Sequence, residues 1–153
     1  MAGKKSDLGP IGKNVARTTK RFRELRRLSY AELSRQLAEL GREIPPLGLR
    51  RIESEDRKVD VDDLFALALT LEVSPLALLL PVEDSALTPQ GMPYDVDKIW
   101  NWAAGSQALS EENAFRFIRD SNPLIDWTDV EPRLAQEATV MLKRKQEPTS
   151  GND

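Results

Sequence analysis

The sequence contains neither cysteine nor histidine. Disulfides, Cys or His metal sites, thiol nucleophiles and any Ser-His or Cys-His catalytic pair are therefore excluded. No apolar run approaches the roughly 20 residues of a membrane span, and the N-terminus lacks the apolar stretch of a signal peptide. We therefore expect a cytoplasmic protein with no cofactor, no metal and no membrane partner. Carboxylate pairs such as Asp62-Asp63 and Glu111-Glu112 stand at predicted helix starts, where capping explains them, so no enzymatic activity is expected.

The charge of the chain is unevenly distributed along its 153 residues. Residues 1–58 carry 15 lysines and arginines against 8 aspartates and glutamates, whereas residues 59–153 carry 7 against 17. A basic half joined to an acidic half indicates a partner that is negatively charged at one end of the molecule. The alternative is a chance distribution of charge over solvated helix faces.

The apolar patterns have helical period, and no alternating strand pattern occurs, so the predicted fold class is all-α. The first helix is predicted over residues 10–27, with Val15, Phe22 and Leu25 on its inner stripe. Four further helices are predicted at about 30–40, 46–54, 61–71 and 76–80.

Capping residues mark the ends of these helices. Ser29 and Glu32 form a Ser-x-x-Glu capping box, and Gly41 is a left-handed helix stop. Either Asp60 or Asp62 caps the fourth helix, and Ser74, followed by proline, caps the fifth. The predicted inner residues are Leu33, Leu37 and Leu40 on the second helix, Leu49 and Ile52 on the third, and Leu64, Leu67, Ala68 and Leu71 on the fourth.

The remainder of the chain reads as a linker, a second helical region and polar ends. Residues 1–9 are predicted to be a flexible N-terminus, 83–93 a linker rich in Pro, Gly, Ser and Thr, and 146–153 a disordered tail without apolar residues. The region 94–145 between them contains three predicted helices, at about 95–104, 110–120 (capped by Ser110) and 124–145, with a break near Pro132 as the alternative for the last.

The second and third helices, joined by a connection that contains glycine, gather basic residues around them. The third helix turns Leu49 and Ile52 inward and leaves Arg50 and Arg51 for its flanks and outer face. Arginine is the side chain best suited to bidentate reading of guanine or to clamping phosphate. The pattern therefore predicts contact with DNA.

Two segments, LRRLSYAELSRQLAELG and LRRIESEDRKVDVDDLFALALTLEVSPLALL, resemble the Xre/Cro-type (lambda-repressor-like) helix-turn-helix transcription regulators. The features that match in order are the Leu-Ser start and Glu-Leu of the second helix, Ile-Glu at the end of the third, Leu-x-x-Leu-Ala in the fourth and Val-Ser-Pro before the fifth. The resemblance covers residues 10–82. It implies a five-helix DNA-binding domain whose third helix, at about 46–54, lies in the major groove of duplex DNA.

The resemblance also implies roles for individual residues. Pro46, Leu47 and Arg51 occupy positions that typically touch base edges, and Arg51 is the preferred base reader. Arg50 is a further candidate, with phosphate contact or simple solvation as its alternatives. Leu47 would contact a thymine methyl group or pack against the second helix. Tyr30 takes a position where the family contacts DNA near a phosphate. By their charge and place along the chain, six basic residues are further candidate phosphate contacts: Lys13, Arg17, Lys20, Arg21, Arg57 and Lys58.

One pair is assigned a structural role. Arg23 and Glu53 match a pair that forms an internal salt bridge in the family. The sequence departs from the family pattern in three places. The connection at 41–49 looks about two residues longer than usual, and Glu55-Asp56 replaces the glycine that usually ends the third helix. Two prolines and a leucine, Pro45, Pro46 and Leu47, also stand where polar base-reading residues are common.

The C-terminal region carries an aromatic surplus. Trp100 and Trp102 are two positions apart, so on a helix they point roughly 200° from one another. With Trp127 they are candidate interface residues, because aromatic surplus outside a core often marks a subunit interface. The alternatives are packing on the N-terminal bundle and a small-ligand pocket. The basic residues 143–145 favour a helix C-terminus or make a second DNA contact.

The sequence therefore predicts a sequence-specific regulator of transcription, a repressor, whose partner is double-stranded DNA. Family members commonly bind as dimers, so a homodimer is expected. The alternative function is an antitoxin-like or adaptor protein. Its acidic C-terminal half would then hold a protein partner, with DNA binding secondary.

Overall fold

The computed structural model describes residues 7–82, 95–128, 130 and 133. All regular secondary structure in these residues is helical, which confirms the predicted all-α class. The chain divides into two compact units, residues 1–104 and 105–153. The predicted linker, the predicted tail and the basic residues 143–145 lie outside the described residues.

The first unit contains six described α-helices, and their positions agree with the sequence prediction to within two residues at each end. They are α1 (Pro10–Leu25), α2 (Tyr30–Glu39), α3 (Pro46–Glu53), α4 (Val61–Thr70), α5 (Pro75–Leu79) and α6 (Val96–Ala103).

Side-chain caps begin several of these helices. The capping box of α2 is complete: the Ser29 hydroxyl accepts from the Glu32 amide at 3.2 Å, and the Glu32 carboxylate accepts from the Ser29 amide at 2.8 Å. Asp60, one of two predicted alternatives, caps α4. Ser74 caps α5 as predicted, and Asp95 caps α6. These bonds satisfy amides that would otherwise lack partners in the first helical turn.

Four helices end in the same way, with one residue in the left-handed conformation. The amide of the following residue then donates to the carbonyl five positions back, at 2.8–3.0 Å, which closes the last turn as a Schellman motif. Gly41 was predicted in this role. The left-handed residues are Arg27 (φ 56°), Gly41 (φ 80°), Glu55 (φ 65°) and Glu72 (φ 51°).

Two predicted inner residues are exposed, and these helix ends explain why. Leu25 and Leu40 are 69% and 54% exposed, so their assignment to the inner face was wrong. Each lies at the end of its helix, just before the left-handed turn. The chain reverses there, and Leu28 and Ile44 beyond the turns supply the apolar contact instead.

The core of the first unit forms between α2, α3, α4 and α5, with α1 packed against α3 and α5. The predicted inner residues Leu33, Leu37, Leu49, Ile52 and Leu67 are fully buried. Because α3 contributes two of these leucine and isoleucine side chains, its inner face is fixed by the core and its opposite face is turned outward.

In the described part of the second unit, a 3₁₀ helix at Glu111–Asn113 leads into the α-helix α7 (Ala114–Ser121). The sequence predicts a single α-helix here that begins after a Ser110 cap, and the predicted start of this helix is wrong. The Ser110 side chain makes no capping bond, and the first turn is 3₁₀. A helix was also predicted over 124–145. Residues 122–128 are not helical, so its predicted start is wrong, whereas Val130 and Arg133 are helical and the other residues of 129–145 lie outside the described residues. The Asp126 carboxylate accepts from the Thr128 amide at 3.0 Å, a local bond that competes with helix formation.

Candidate functional site

The end of α3 is tied to α1 by a bidentate ion pair. The Arg23 guanidinium donates to both Glu53 carboxylate oxygens, at 2.6 and 2.9 Å, and also to the Leu28 carbonyl at 3.0 Å. The side chains of Arg23 and Glu53 are only 11% and 4% exposed. The hydrogen bond to Glu53 raises the pKa of Arg23 above its ordinary value, although burial opposes the shift. The structure thus brings together the two residues that the family resemblance pairs.

Tyr30, a predicted phosphate contact, belongs to the same cluster. Its hydroxyl donates to Glu53 at 2.8 Å, and its ring lies 4.2 Å from the Arg23 guanidinium carbon and 5.3 Å from that of Arg50. Burial, followed by the bond to Glu53, raises the pKa of Tyr30. The hydroxyl has one proton, and the carboxylate of Glu53 already accepts it. We therefore assign Tyr30 to positioning α3 rather than to donating a bond to phosphate.

The start of α3 is held by a second cluster, which the sequence reading missed. Asp63, on α4, is 1% exposed and accepts from two arginines: Arg42 Nε at 2.6 Å and Arg57 Nη2 at 2.7 Å. Arg42 also donates to Asp60 at 2.7 and 2.9 Å. The bond to Asp63 raises the pKa of Arg42. The Asp63 amide, followed by Arg42, holds the pKa of Asp60 below its ordinary value.

Arg57, another predicted phosphate contact, is part of this second cluster. Its guanidinium also lies against α3: a Cβ built on Gly48 would approach Arg57 Nη1 to 2.7 Å. A side chain at position 48 would displace this guanidinium from the helix surface. Arg57 therefore links α3 to the buried Asp63 of α4.

The outward face of α3 carries the four predicted base-reading residues. Pro46, Leu47, Arg50 and Arg51 are all exposed. Leu47 is 58% exposed, so the alternative in which it packs against α2 was wrong. The arrangement presents two guanidinium groups and one apolar side chain on a helix whose two ends are fixed by ion pairs.

The other predicted phosphate contacts are divided among different surfaces. Lys20 lines a shallow depression together with Tyr30 and Arg50. Arg17 and Arg21 line a separate cleft beside α5 and α6, and Lys58 lines a pocket with residues of α1 and α4. Lys13 is exposed on α1.

The three predicted interface tryptophans occupy different environments. Trp100 is half-buried in the first unit, where its indole N–H donates to the Pro81 carbonyl at 2.7 Å. Trp102 is 40% exposed on the same helix. Trp127, in the second unit, is half-buried and packs edge-on against Phe115, with the ring centroids 6.0 Å apart.

Within the part of the chain that the structure describes, no three potential metal-ligating carboxylates come together, and no helix has the length and apolar character to cross a membrane. Comparison with family models, with curated proteins and with solved structures finds no match to this chain. The function of the chain is therefore inferred from the geometry around α3 and from the resemblance of residues 10–82 to Xre/Cro-type regulators.

Proposed function

We propose that this chain is a sequence-specific regulator of transcription that binds double-stranded DNA with α3 in the major groove. The observation that carries the proposal is the exposed face of α3, with Arg50, Arg51 and Leu47, on a helix held rigidly from behind. A base-reading helix needs both properties, because bidentate bonds to base edges tolerate little movement.

The start of α3 suits this task. The prolines at its N-terminus lack amide donors but have a backbone angle suited to a first helical turn, so the helix begins without a side-chain cap. An α-helix with its side chains is about 10–12 Å across, and the major groove, about 12 Å wide, admits one.

The two ion-pair clusters support the proposal because they set the position of α3 at both ends. Glu53 is held by Arg23 and Tyr30, while Arg57 lies across Gly48 and reaches Asp63. Each cluster joins α3 to an element outside the helix-turn-helix pair. In the Xre/Cro-type arrangement that the sequence resembles, such contacts hold the reading helix against the rest of the domain.

In this proposal Arg51 reads a guanine, Leu47 contacts a thymine methyl group, and Lys20 and Arg50 contact the phosphates beside them. Pro46 fixes the start of the helix and touches the base edge by van der Waals contact. The regulator acts as a repressor by occupying its operator. Two copies bind two half-sites spaced by about one helical turn, roughly 34 Å.

The first test is selection of binding sites from a random duplex library with the full chain, at low salt because phosphate contacts are salt-sensitive. The proposal expects a recurring motif with two related half-sites. Affinity for that duplex is then measured by fluorescence anisotropy. Arg51→Ala should weaken binding by about 1–3 kcal/mol, or roughly 5- to 150-fold, and relax the preference at one base position.

The matched control for this test is Arg116→Ala. Arg116 is an exposed arginine of the second unit, so the variant loses the same charge without touching α3. We expect its affinity for the selected duplex to equal that of the unaltered chain. No enrichment from the library, or equal losses in both variants, would contradict the proposal.

A second candidate function is supported by the exposed apolar residues of the second unit. Leu124 is fully exposed, and Phe115 and Ile125 are 40% and 45% exposed. These side chains suit an adaptor that holds a protein partner through the acidic C-terminal half. A stoichiometric partner that co-purifies with the chain, and is lost in Leu124→Asp, would favour this function over the first.

A further inference from the structure

A cleft of about 550 Å³ lies between α1, α5 and α6 of the first unit. Its size is within the range of 300–1,000 Å³ that is typical of small-molecule sites. Phe22, Leu80 and Trp100 contribute apolar and aromatic surface, and Arg17 and Arg21 contribute charge. No function considered so far uses this cleft.

The charge of the cleft is of one sign. Arg17 and Arg21 are four positions apart on α1, so both guanidinium groups leave the same side of the helix one turn apart. Among the described residues, no carboxylate lines the cleft, and neither arginine has an acidic partner. Two such cations in one concave site favour binding of an anion.

One of the two arginines is oriented by a buried asparagine. Arg17 Nη2 donates to the side-chain oxygen of Asn14, Oδ1, at 2.8 Å. Asn14 is 2% exposed, and its amide nitrogen donates to the carbonyls of Leu78 and Leu79 at 3.3 and 3.1 Å. Asn14 therefore connects the Arg17 guanidinium to the backbone of α5. The other N–H groups of the Arg17 guanidinium are left to other partners.

The geometry of α1 turns one arginine of this cleft away from α3. Positions 21 and 23 are two residues apart, so their side chains leave the helix about 200° apart. Arg23 points toward Glu53 at the end of α3. Arg21 therefore points away from α3, which disfavours a contact with a duplex bound there. The phosphate contact predicted for Arg17 stays a prediction.

The apolar part of the cleft restricts the kind of anion. Trp100 is fixed by the bond from its indole N–H to the Pro81 carbonyl. Phe22 lies below Arg21, whose guanidinium carbon is 5.7 Å from the ring centroid. A flat apolar body would remove these aromatic surfaces from water while its charged group meets the guanidinium groups.

We propose that this cleft binds a small aromatic carboxylate. Arg17 and Arg21 hold the carboxylate, and Trp100 and Phe22 contact the ring. The site is independent of the proposed DNA-binding function, because the DNA contacts proposed above use none of its residues. Failure of one proposal therefore leaves the other standing.

The test uses the full chain, with naphthalene-2-carboxylate as the probe and the neutral naphthalene-2-carboxamide as its matched analogue. Binding is followed by the NMR signals of the three indole N–H groups. We expect saturable displacement of the Trp100 signal by the carboxylate, with Trp102 and Trp127 unmoved. The carboxamide should bind at least tenfold more weakly, because it leaves the guanidinium groups without a counter-charge.

Two variants test the assignment of the arginines. Arg17→Gln and Arg21→Gln should each weaken binding of the carboxylate at least tenfold, whereas Arg35→Gln, an exposed arginine of α2, should leave it unchanged. The amide spectrum of each variant shows that the fold is kept. The proposal is overturned if the Trp100 signal does not respond to millimolar probe or if the two probes bind with equal affinity. Unchanged affinity in both Arg17→Gln and Arg21→Gln would also overturn it.

Discussion

The two units differ in how their apolar residues are used. In the described part of the first unit, leucine, isoleucine and alanine side chains from α1 to α6 are buried. In the described part of the second unit, Gly105 is the one buried residue, and the apolar residues of α7 are half-buried or exposed. Both units contain amphipathic helices. The amphipathic pattern of a helix therefore identifies its apolar face. It does not show whether another element of the same chain covers that face.

The ion pairs of the two units also differ in how deeply they are buried. The first unit buries the carboxylates of Glu53 and Asp63 against arginine partners, whereas Arg116 and Asp120 in the second unit form an exposed pair at 3.6 Å. The stability of a buried charge depends on its ion-pair partner, because water cannot reach the site to take the place of that partner. An exposed charge exchanges its partner for water at little cost.

The sharpest test of this difference removes the acidic member of one pair in each unit. Glu53→Ala leaves the Arg23 guanidinium buried without its partner, and we expect a loss of about 3–5 kcal/mol in the free energy of unfolding. Asp120→Ala should change stability by no more than about 0.5 kcal/mol. Chemical denaturation of the full chain, followed by amide signals of each unit, measures both. Similar losses in the two variants would remove the distinction between the units.

A second test compares two leucines. Leu67 is fully buried in the first unit, and Leu124 is 100% exposed in the second. Leu67→Ala leaves a cavity among α2, α4 and α5 and should cost about 2–5 kcal/mol. Leu124→Ala should stay within about 0.5 kcal/mol of the unaltered chain. A large loss from Leu124→Ala would show that this side chain is covered in solution.

A third test concerns backbone conformation. In the described residues, the non-glycine residues with positive φ all lie in the first unit, and Glu72 is one of them. A left-handed conformation costs a residue with a Cβ about 1–2 kcal/mol. Glycine loses more freedom on folding, so Glu72→Gly should stabilise the first unit by a net of about 0.5–1 kcal/mol. Glu72→Ala keeps the Cβ and serves as the control, for which no gain is expected in the same denaturation experiment.

The helices of the first unit could be predicted from sequence because their signals are local. The bonds that begin α2, α4 and α5 join residues three positions apart, as in Ser29 and Glu32, and such spacing is visible in the sequence. The exposed face of α3 followed from the period of Leu49 and Ile52. The start of α7 was mispredicted because a serine suited to capping does not guarantee that the bond forms.

The clusters that position α3 could not be derived from the residues alone. Asp63 meets an arginine 21 positions earlier, and Tyr30 meets Glu53 at a separation of 23. Such pairs depend on which helices pack together, and many arginines in the basic half were equally available. The resemblance to a family supplied Arg23 and Glu53, but it assigned Tyr30 to phosphate, and the position of Arg57 beside the third helix suggested the same role for that residue. The structure gives both side chains partners within the protein.

The smallest expected effect is a dependence of stability on pH. Glu32 in α2 and Asp126 in the second unit both have their pKa lowered: Glu32 by the Ser29 hydroxyl and then the Ser29 amide, Asp126 by the Thr128 amide and then its side chain. Since the folded pKa is below the unfolded one, each contribution is complete above the unfolded value and is lost as the pH falls toward the folded value. For Glu32 the ordinary value is 4.5, so the loss begins near there.

This prediction separates the units because each carboxylate should affect its own part of the chain. Denaturation of the full chain between pH 3 and pH 7, followed by α2 amides, should show less acid destabilisation in Glu32→Gln than in the unaltered chain. Asp126→Asn should leave the α2 response unchanged and alter only signals near Thr128. An α2 response to Asp126→Asn would mean that the two units unfold together. The difference in side-chain burial between the units would then be a difference between two parts of one cooperatively folding structure.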